Sequence, residues 1–193
     1  MIEDLTFDEE LHEYRYKGQV FPSVTQVIKD VIGIGWEASP WHLQRGTAVH
    51  LAVQLWADGK LDLDSLDERI RGRVDSIIKF LNDSKAFIHC SEKRGVSVAY
   101  GFAGTVDMVA SINEKLVICD WKGSIDPRAR IQLGAYQILM EESFQKSDGV
   151  AVQCFDSGKY KCMWMNRREM DEGKRAFLAA LSVYNYKKRH KIQ

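Results

Sequence analysis

Apolar positions recur at helical spacing over most of the first 85 residues and at strand spacing beyond them. The opening "HEYRYKGQVF" alternates around Lys17-Gly18 and predicts a short N-terminal hairpin. "PSVTQVIKDVIG" predicts a helix capped by Ser23 and stopped at Gly33. "SPWHLQRGTAVHLAVQLWADGK" reads as a second helix, apolar through Val49, Leu51, Val53 and Leu55 and ending at Asp58-Gly59. "SLDERIRGRVDSIIKFLND" is amphipathic, with Ile70, Val74, Ile77, Ile78 and Leu81 on one side.

The texture then changes. "AFIHCSEKRGVSVAY", "FAGTVDMVASI" and "KLVICDWK" are rich in β-branched and aromatic residues and predict three strands. "DPRARIQLGAYQILMEES" returns to helical periodicity, and "GVAVQCFDSGKYKCMWM" reads as a hairpin about Ser157-Gly158. The tail "REMDEGKRAFLAALSVYNYKKRHK" predicts a last amphipathic helix, whose basic "KKRH" favours a helix C-terminus. Helices, three strands, a helix, two strands and a helix make a layered α/β domain rather than a doubly wound βαβα repeat. The 193 residues suit one domain: a hairpin and helices over 1–86, a sheet with its helix over 87–165, and a terminal helix over 166–193.

Charge and cysteine content narrow the function classes. Lysine plus arginine and aspartate plus glutamate each number 27, so no global positive field announces a nucleic-acid partner, and any such surface must be local. There is no run of 18 apolar residues, and the start "MIEDLTFDEE" is acidic, unlike a secretory leader. The expectation is a cytoplasmic protein without a membrane partner. Cys90, Cys119, Cys154 and Cys162 are scattered with no CxxC pair, which predicts reduced thiols, not a zinc or iron–sulfur site.

The candidate chemistry lies in "GTVDMVASINEKLVICDWKG". A two-residue turn at Asn113-Glu114 places Asp107 directly opposite Asp120, and directly opposed residues bring their Cβ atoms to about 4.5–5.5 Å. A three-residue loop would break this register. Like charges so close are destabilising unless a cation lies between them, and paired carboxylates with waters are how magnesium is commonly held. Period-2 alternation sets Lys122 on the face of Asp120, where an ammonium can orient water or steady a phosphate. On spacing alone, a solvated acid pair neutralised by lysine explains the pattern equally well.

The ordered set "GFAGTVDMVA", "LVICDWKG" and "QLGAY" resembles the PD-(D/E)XK nuclease superfamily, in its RecB-type and phage exonuclease-like branch. Asp107 matches the first acid, Asp120 and Lys122 the D-x-K pair, and Gln132 and Tyr136 the Q-x-x-x-Y helix, where i,i+4 spacing puts both on one face. "RGTAVH" matches the branch's helical histidine at His50, "FPSVTQVI" a common N-terminal element, and "SEKRGV" places Glu92 where relatives carry an acid. The resemblance runs over roughly residues 12–137. The cysteines of the iron–sulfur relatives are missing, and so is any "GxxxxGK[ST]" helicase motif, which implies a stand-alone nuclease module.

The resemblance implies a restriction-endonuclease-like fold: a mixed central sheet flanked by helices, with extra N-terminal helices on one side. It implies DNA hydrolysis with one or two magnesium or manganese ions, held by Asp107, Asp120, the Trp121 backbone carbonyl and His50. Lys122 would orient the attacking water, Glu92 would bind metal or activate water, and Gln132 and Tyr136 would hold the lysine and the phosphate. The Trp121 side chain should point to the opposite face. Arg45, Arg128 and Arg130 flank the motifs as candidate contacts for the DNA backbone. Trp36, Trp41 and Trp56 are expected in the core rather than stacked on bases. The favoured role is an exonuclease of phage or prophage recombination or repair, in the cytoplasm of a bacterial host. DNA would be its partner, with a recombination or replication protein besides. The alternatives are a structure-selective endonuclease and a DNA-binding or assembly module that has lost catalysis.

Overall fold

The computed structural model describes residues 4–8, 11, 13–33, 39–140, 144 and 146–192; Trp36 lies outside them. Three short antiparallel strands open the fold, β1 (Leu5–Asp8), β2 (Glu13–Tyr16) and β3 (Gln19–Phe21). The β2–β3 turn is the expected Lys17-Gly18, both at positive φ (49° and 79°) as a tight hairpin turn requires. Strand β1 was not anticipated, because the acidic terminus masked the alternation of Leu5 and Phe7. Both side chains pack beside Tyr14 and Phe21 in a small satellite core.

Three helices follow. Helix α1 (Val24–Val31) begins at Ser23, whose hydroxyl accepts the Gln26 amide while the Gln26 side chain accepts the Ser23 amide. Helix α2 (Pro40–Ala57) is capped by Ser39 and α3 (Glu68–Asp83) by Asp67. In α2 the apolar run alternates, and a helix cannot bury alternate residues. Val49 and Val53, one turn apart, are buried, whereas Leu51 stands 54% exposed. Trp41 is also a surface residue, 40% exposed, with the Arg69 guanidinium 5.1 Å from its ring, while Trp56 packs against the core.

The main sheet contains β4 (Phe87–Ser97), β5 (Phe102–Ile112), β6 (Lys115–Lys122), β7 (Asp148–Cys154) and β8 (Tyr160–Met165), side by side in that order. Every pairing is antiparallel except β6–β7, which α4 (Arg128–Leu139) joins as a crossover. Helix α5 (Arg167–His190) closes the chain, and its basic end is anchored by Lys187, 3.0 Å from Asp30 of α1. No described helix is long and apolar enough to cross a membrane.

Each face of the sheet carries its own core. On one face Val24 and Val27 of α1, Leu133 and Tyr136 of α4, and Phe177 and Leu181 of α5 cover Val109, Ile118 and Ala151. On the other, Val49 and Val53 of α2 and Val74, Ile77 and Phe80 of α3 cover Met108, Cys119, Trp121 and Val152. A sheet covered on both faces explains why β5 and β6 read as nearly continuous apolar runs. It also makes any charged residue within them conspicuous. All four cysteines are free thiols, Cys119 and Cys154 buried, Cys90 and Cys162 half-buried.

Helices α4 and α5 meet through two glycines. A methyl group at Gly134 would overlap the Lys174 amide, and one at Gly173 would overlap the Arg130 carbonyl. Backbone cannot yield as a side-chain end can, so Gly134→Ala pushes the helices apart at about 1–3 kcal/mol. At roughly 2–4 °C per kcal/mol for a chain of this size, thermal unfolding should show a drop of several degrees. An unchanged midpoint would mean that the crossing relaxes freely.

Candidate active site

The β4–β5 and β5–β6 hairpins of the main sheet bring three acids abreast. The β5–β6 turn is Asn113-Glu114, both left-handed (φ 49° and 63°), the geometry of a type I′ turn. The ladder runs from Ile112 opposite Lys115 to Met108 opposite Cys119, so Asp107 and Asp120 occupy the next step. There the carboxylate takes over from the ladder: Asp107 Oδ2 accepts the Trp121 amide at 2.8 Å. On the other side, Glu92 lies between the pairs Ser91–Met108 and Lys93–Val106, hence across from Asp107. Glu92 is itself left-handed (φ 46°), an uncommon conformation for a residue within a strand.

Two cations converge on this row. His50 reaches in from α2, its Nδ1 2.9 Å from Glu92 Oε1 and 3.6 Å from Asp107 Oδ1. Lys122 Nζ lies 3.0 and 2.8 Å from the two Asp120 oxygens and donates to Gln132 Oε1 at 2.9 Å. Gln132 Nε2 donates to Tyr136 Oη at 2.6 Å, so α4 fixes which way the amide points and thereby where the ammonium stands. The Trp121 indole turns to the opposite face, edge-on to Phe80 with ring centroids 6.1 Å apart.

Burial sets the electrostatics. Asp120 is fully buried and Asp107 is 5% exposed. Burial pushes the Asp107 carboxyl above its ordinary range; His50 draws it down and Glu92 pushes it back up. Burial raises Asp120 too, with Lys122 opposing and Asp107 reinforcing. Burial works against a charged His50, but the Asp107 and Glu92 carboxylates outweigh it and lift the imidazole to about 9. Burial likewise opposes the Lys122 ammonium, and Asp120 and Asp107 hold its pKa above the ordinary lysine value. Tyr136 is raised well above a normal phenol by burial and the same two acids, so its hydroxyl stays protonated.

These residues fit a hard divalent cation. The His50 Nδ1 and one oxygen each of Glu92 and Asp107 lie within 4.8 Å of one another. Asp120 Oδ2 is buried and accepts no hydrogen bond of good geometry from the described residues, although the ammonium is close. Without a metal, the imidazolium supplies the positive charge that the acids need. A cation would take its place, displacing the proton.

Comparison with known proteins shows the family. The family model described as "PD-(D/E)XK nuclease superfamily" matches residues 28–182. The chain belongs to that superfamily. Among solved structures, one described as "Putative exonuclease" from Eubacterium rectale superposes with a TM-score of 0.56 at 12% identity, covering 90% of this chain and 83% of its own. An alkaline exonuclease from Laribacter hongkongensis gives a TM-score of 0.40 at 15% identity, covering 89% of this chain and 94% of its own. No curated protein matches.

As a PD-(D/E)XK protein it has the restriction-endonuclease-like sheet, with α1, α2 and α3 as its N-terminal helices. The basic candidates fare differently within this frame. Arg45 lines a cleft of about 280 Å³ that reaches His50 and Lys122. Arg128 lines a neighbouring cleft of about 210 Å³ with Lys122 and Gln132, its guanidinium held by Asp126 and the Gly33 carbonyl. Arg130 is not brought to the site: it faces α5 and pairs with Glu169 at 2.6 Å, because it sits on the side of α4 that crosses that helix. Tyr14, Thr105 and Arg73 are neighbours that had no signal in the sequence. Tyr14, whose hydroxyl meets Thr105 Oγ1 at 2.8 Å, braces β5 two residues before Asp107, and Arg73 joins Arg45 in the cleft wall.

Two outcomes test this electrostatic picture. A carboxyl raised in the folded state is a destabilising anion at neutral pH. Asp107→Asn keeps an acceptor for the Trp121 amide, so it should raise the melting temperature in EDTA. Manganese should then stabilise the wild type and not the variant. For His50, a folded pKa of about 9 against an unfolded value near 6.5 gives stability that is complete below 6.5 and lost as pH rises through 9. Melting temperature in EDTA across that window should fall more in the wild type than in His50→Gln.

Proposed function

We propose that the protein is a metal-dependent deoxyribonuclease that hydrolyses phosphodiester bonds, acting as an exonuclease. One observation carries this reading. The Lys122 ammonium, held between the Asp120 carboxylate and the Gln132 carbonyl, stands beside the acid row and His50 at the mouth of two clefts.

Asp107, Asp120 and the Trp121 carbonyl, with His50 and Glu92, would hold magnesium or manganese. The ion, when bound, supplies Lewis acidity to the phosphoryl group and lowers the pKa of water. Lys122 orients the attacking water and offsets charge developing on the phosphate, because its ammonium is fixed and stays protonated. Gln132 keeps that ammonium in place through the carbonyl end of its amide, which Tyr136 prevents from flipping. Tyr136 is thus a positioning residue, and Tyr136→Phe should be milder than Gln132→Ala. The exonuclease reading is supported by the description of the Eubacterium rectale neighbour, and a role in phage or prophage recombination or repair by the resemblance of the ordered motifs.

The test uses labelled single- and double-stranded DNA, linear and sealed circular, with Mg2+, Mn2+ or EDTA. Linear DNA should be degraded only with metal, and sealed circles should survive. Asp120→Asn and Lys122→Ala should each lower the rate by about 10²–10³ or more. Cutting of sealed circles would make it an endonuclease. Metal-independent binding without cleavage of any substrate would make it a silent module of the same fold.

A further inference from the structure

The cleft wall away from the acid row carries a charge arrangement that the catalytic reading does not use. Arg45 of α2 and Arg73 of α3 converge on one carboxylate, that of Asp156 in the β7–β8 turn. Arg73 Nε is 2.6 Å from Asp156 Oδ1, and Arg45 Nη1 is 3.6 Å from Oδ2. The two arginine side chains are only 17% and 15% exposed, whereas that of Asp156 is 64% exposed. Two guanidinium groups sharing one carboxylate leave an unmatched positive charge on a buried wall. Their planar donor forks suit an anion with several oxygens better than a lone carboxylate.

The turn is clamped while its carboxylate is not. The Ser76 hydroxyl lies 2.8 and 2.7 Å from the Phe155 and Lys159 carbonyls, and a methyl on Gly72 would overlap the Asp156 carbonyl. The main chain of Asp156 therefore cannot leave α3, but its side chain can rotate into solvent. Trp121 stands at the floor of the same cleft. It is 5% exposed, yet the indole Nε1 has no acceptor among the described residues. An unpaired buried donor is costly enough to call for a partner.

We infer that this cleft is a nucleotide subsite beside the scissile bond, in which a backbone phosphate displaces the Asp156 carboxylate from Arg45 and Arg73. Asp156 acts as a phosphate surrogate that keeps both arginines aimed in the free protein. The cleft, about 280 Å³, is near the lower end of ligand cavities and admits one nucleotide rather than a base pair. The assignment rests on the nuclease reading for its substrate class, but its geometry is separate from the acid row.

The test is equilibrium binding of a fluorescein-labelled single-stranded oligonucleotide in EDTA, over a range of salt, with a cleavage assay in Mg2+ and Mn2+ run alongside. Arg45→Gln and Arg73→Gln should each weaken binding about tenfold and reduce the salt slope by about 1. Asp156→Asn, a change at an exposed side chain, should tighten binding several-fold, a direction that misfolding does not produce. Affinity and salt slope unchanged in all three variants would overturn the subsite even if the wild type degrades DNA. A wild type that binds no oligonucleotide at low salt would overturn it as well. A wild type that binds with the expected variant effects and cuts nothing would keep the subsite and remove the catalytic reading.

Discussion

Three carboxylates side by side in a dry sheet are the constraint around which this fold is organised. Glu92, Asp107 and Asp120 sit on adjacent strands at one level, the latter two almost without solvent. Such a row is unfavourable by itself, since each anion loses hydration and repels the next. It persists because two cations arrive from outside the row, His50 from α2 and Lys122 from the end of β6, and because Asp107 also takes a backbone amide. The His50, Glu92 and Asp107 donor atoms lie within 4.8 Å of one another, a spacing that fits one hard cation.

The surrounding architecture keeps those groups at fixed distances. The left-handed Asn113-Glu114 turn sets the β5–β6 register, and with it the alignment of the two aspartates. Helix α4 lies where it does because Gly134 and Gly173 let α5 approach backbone to backbone, and α4 in turn carries the Gln132–Tyr136 pair that fixes Lys122. Stability elements remote from the chemistry thus determine the position of one ammonium to within a hydrogen bond. Preorganisation of this kind is what electrostatic catalysis requires, since groups already in place need not reorganise as charge develops.

Overall neutrality and a nucleic-acid substrate are compatible because the positive charge is local. Arg45 and Arg73 flank one cleft and share Asp156, while Arg128 flanks the other and pairs with Asp126, so the positive charge stays at the groove. Membership in the PD-(D/E)XK superfamily accounts for the sheet and its flanking helices. It does not by itself account for the Asp156 contact, which depends on the tight seating of this turn against Gly72.

What the sequence alone determined is whatever local periodicity and turn chemistry control: the helix cap at Ser23 and the stop at Gly33, the strands of the main sheet, the β5–β6 register, and the one-face relation of Gln132 to Tyr136 and of Asp120 to Lys122. These depend on residues a few positions apart, whose geometry the backbone dictates. Local pattern failed where burial is a property of the neighbour. It did not show that Leu51 and Trp41 face solvent, that Arg130 turns to α5, or that Leu5 and Phe7 form a strand. Only the tertiary structure could bring His50 to Glu92 across 42 positions, or join Arg45 and Arg73 at Asp156. Those meetings depend on how layers pack, and packing is settled by the whole core at once rather than by any stretch of chain.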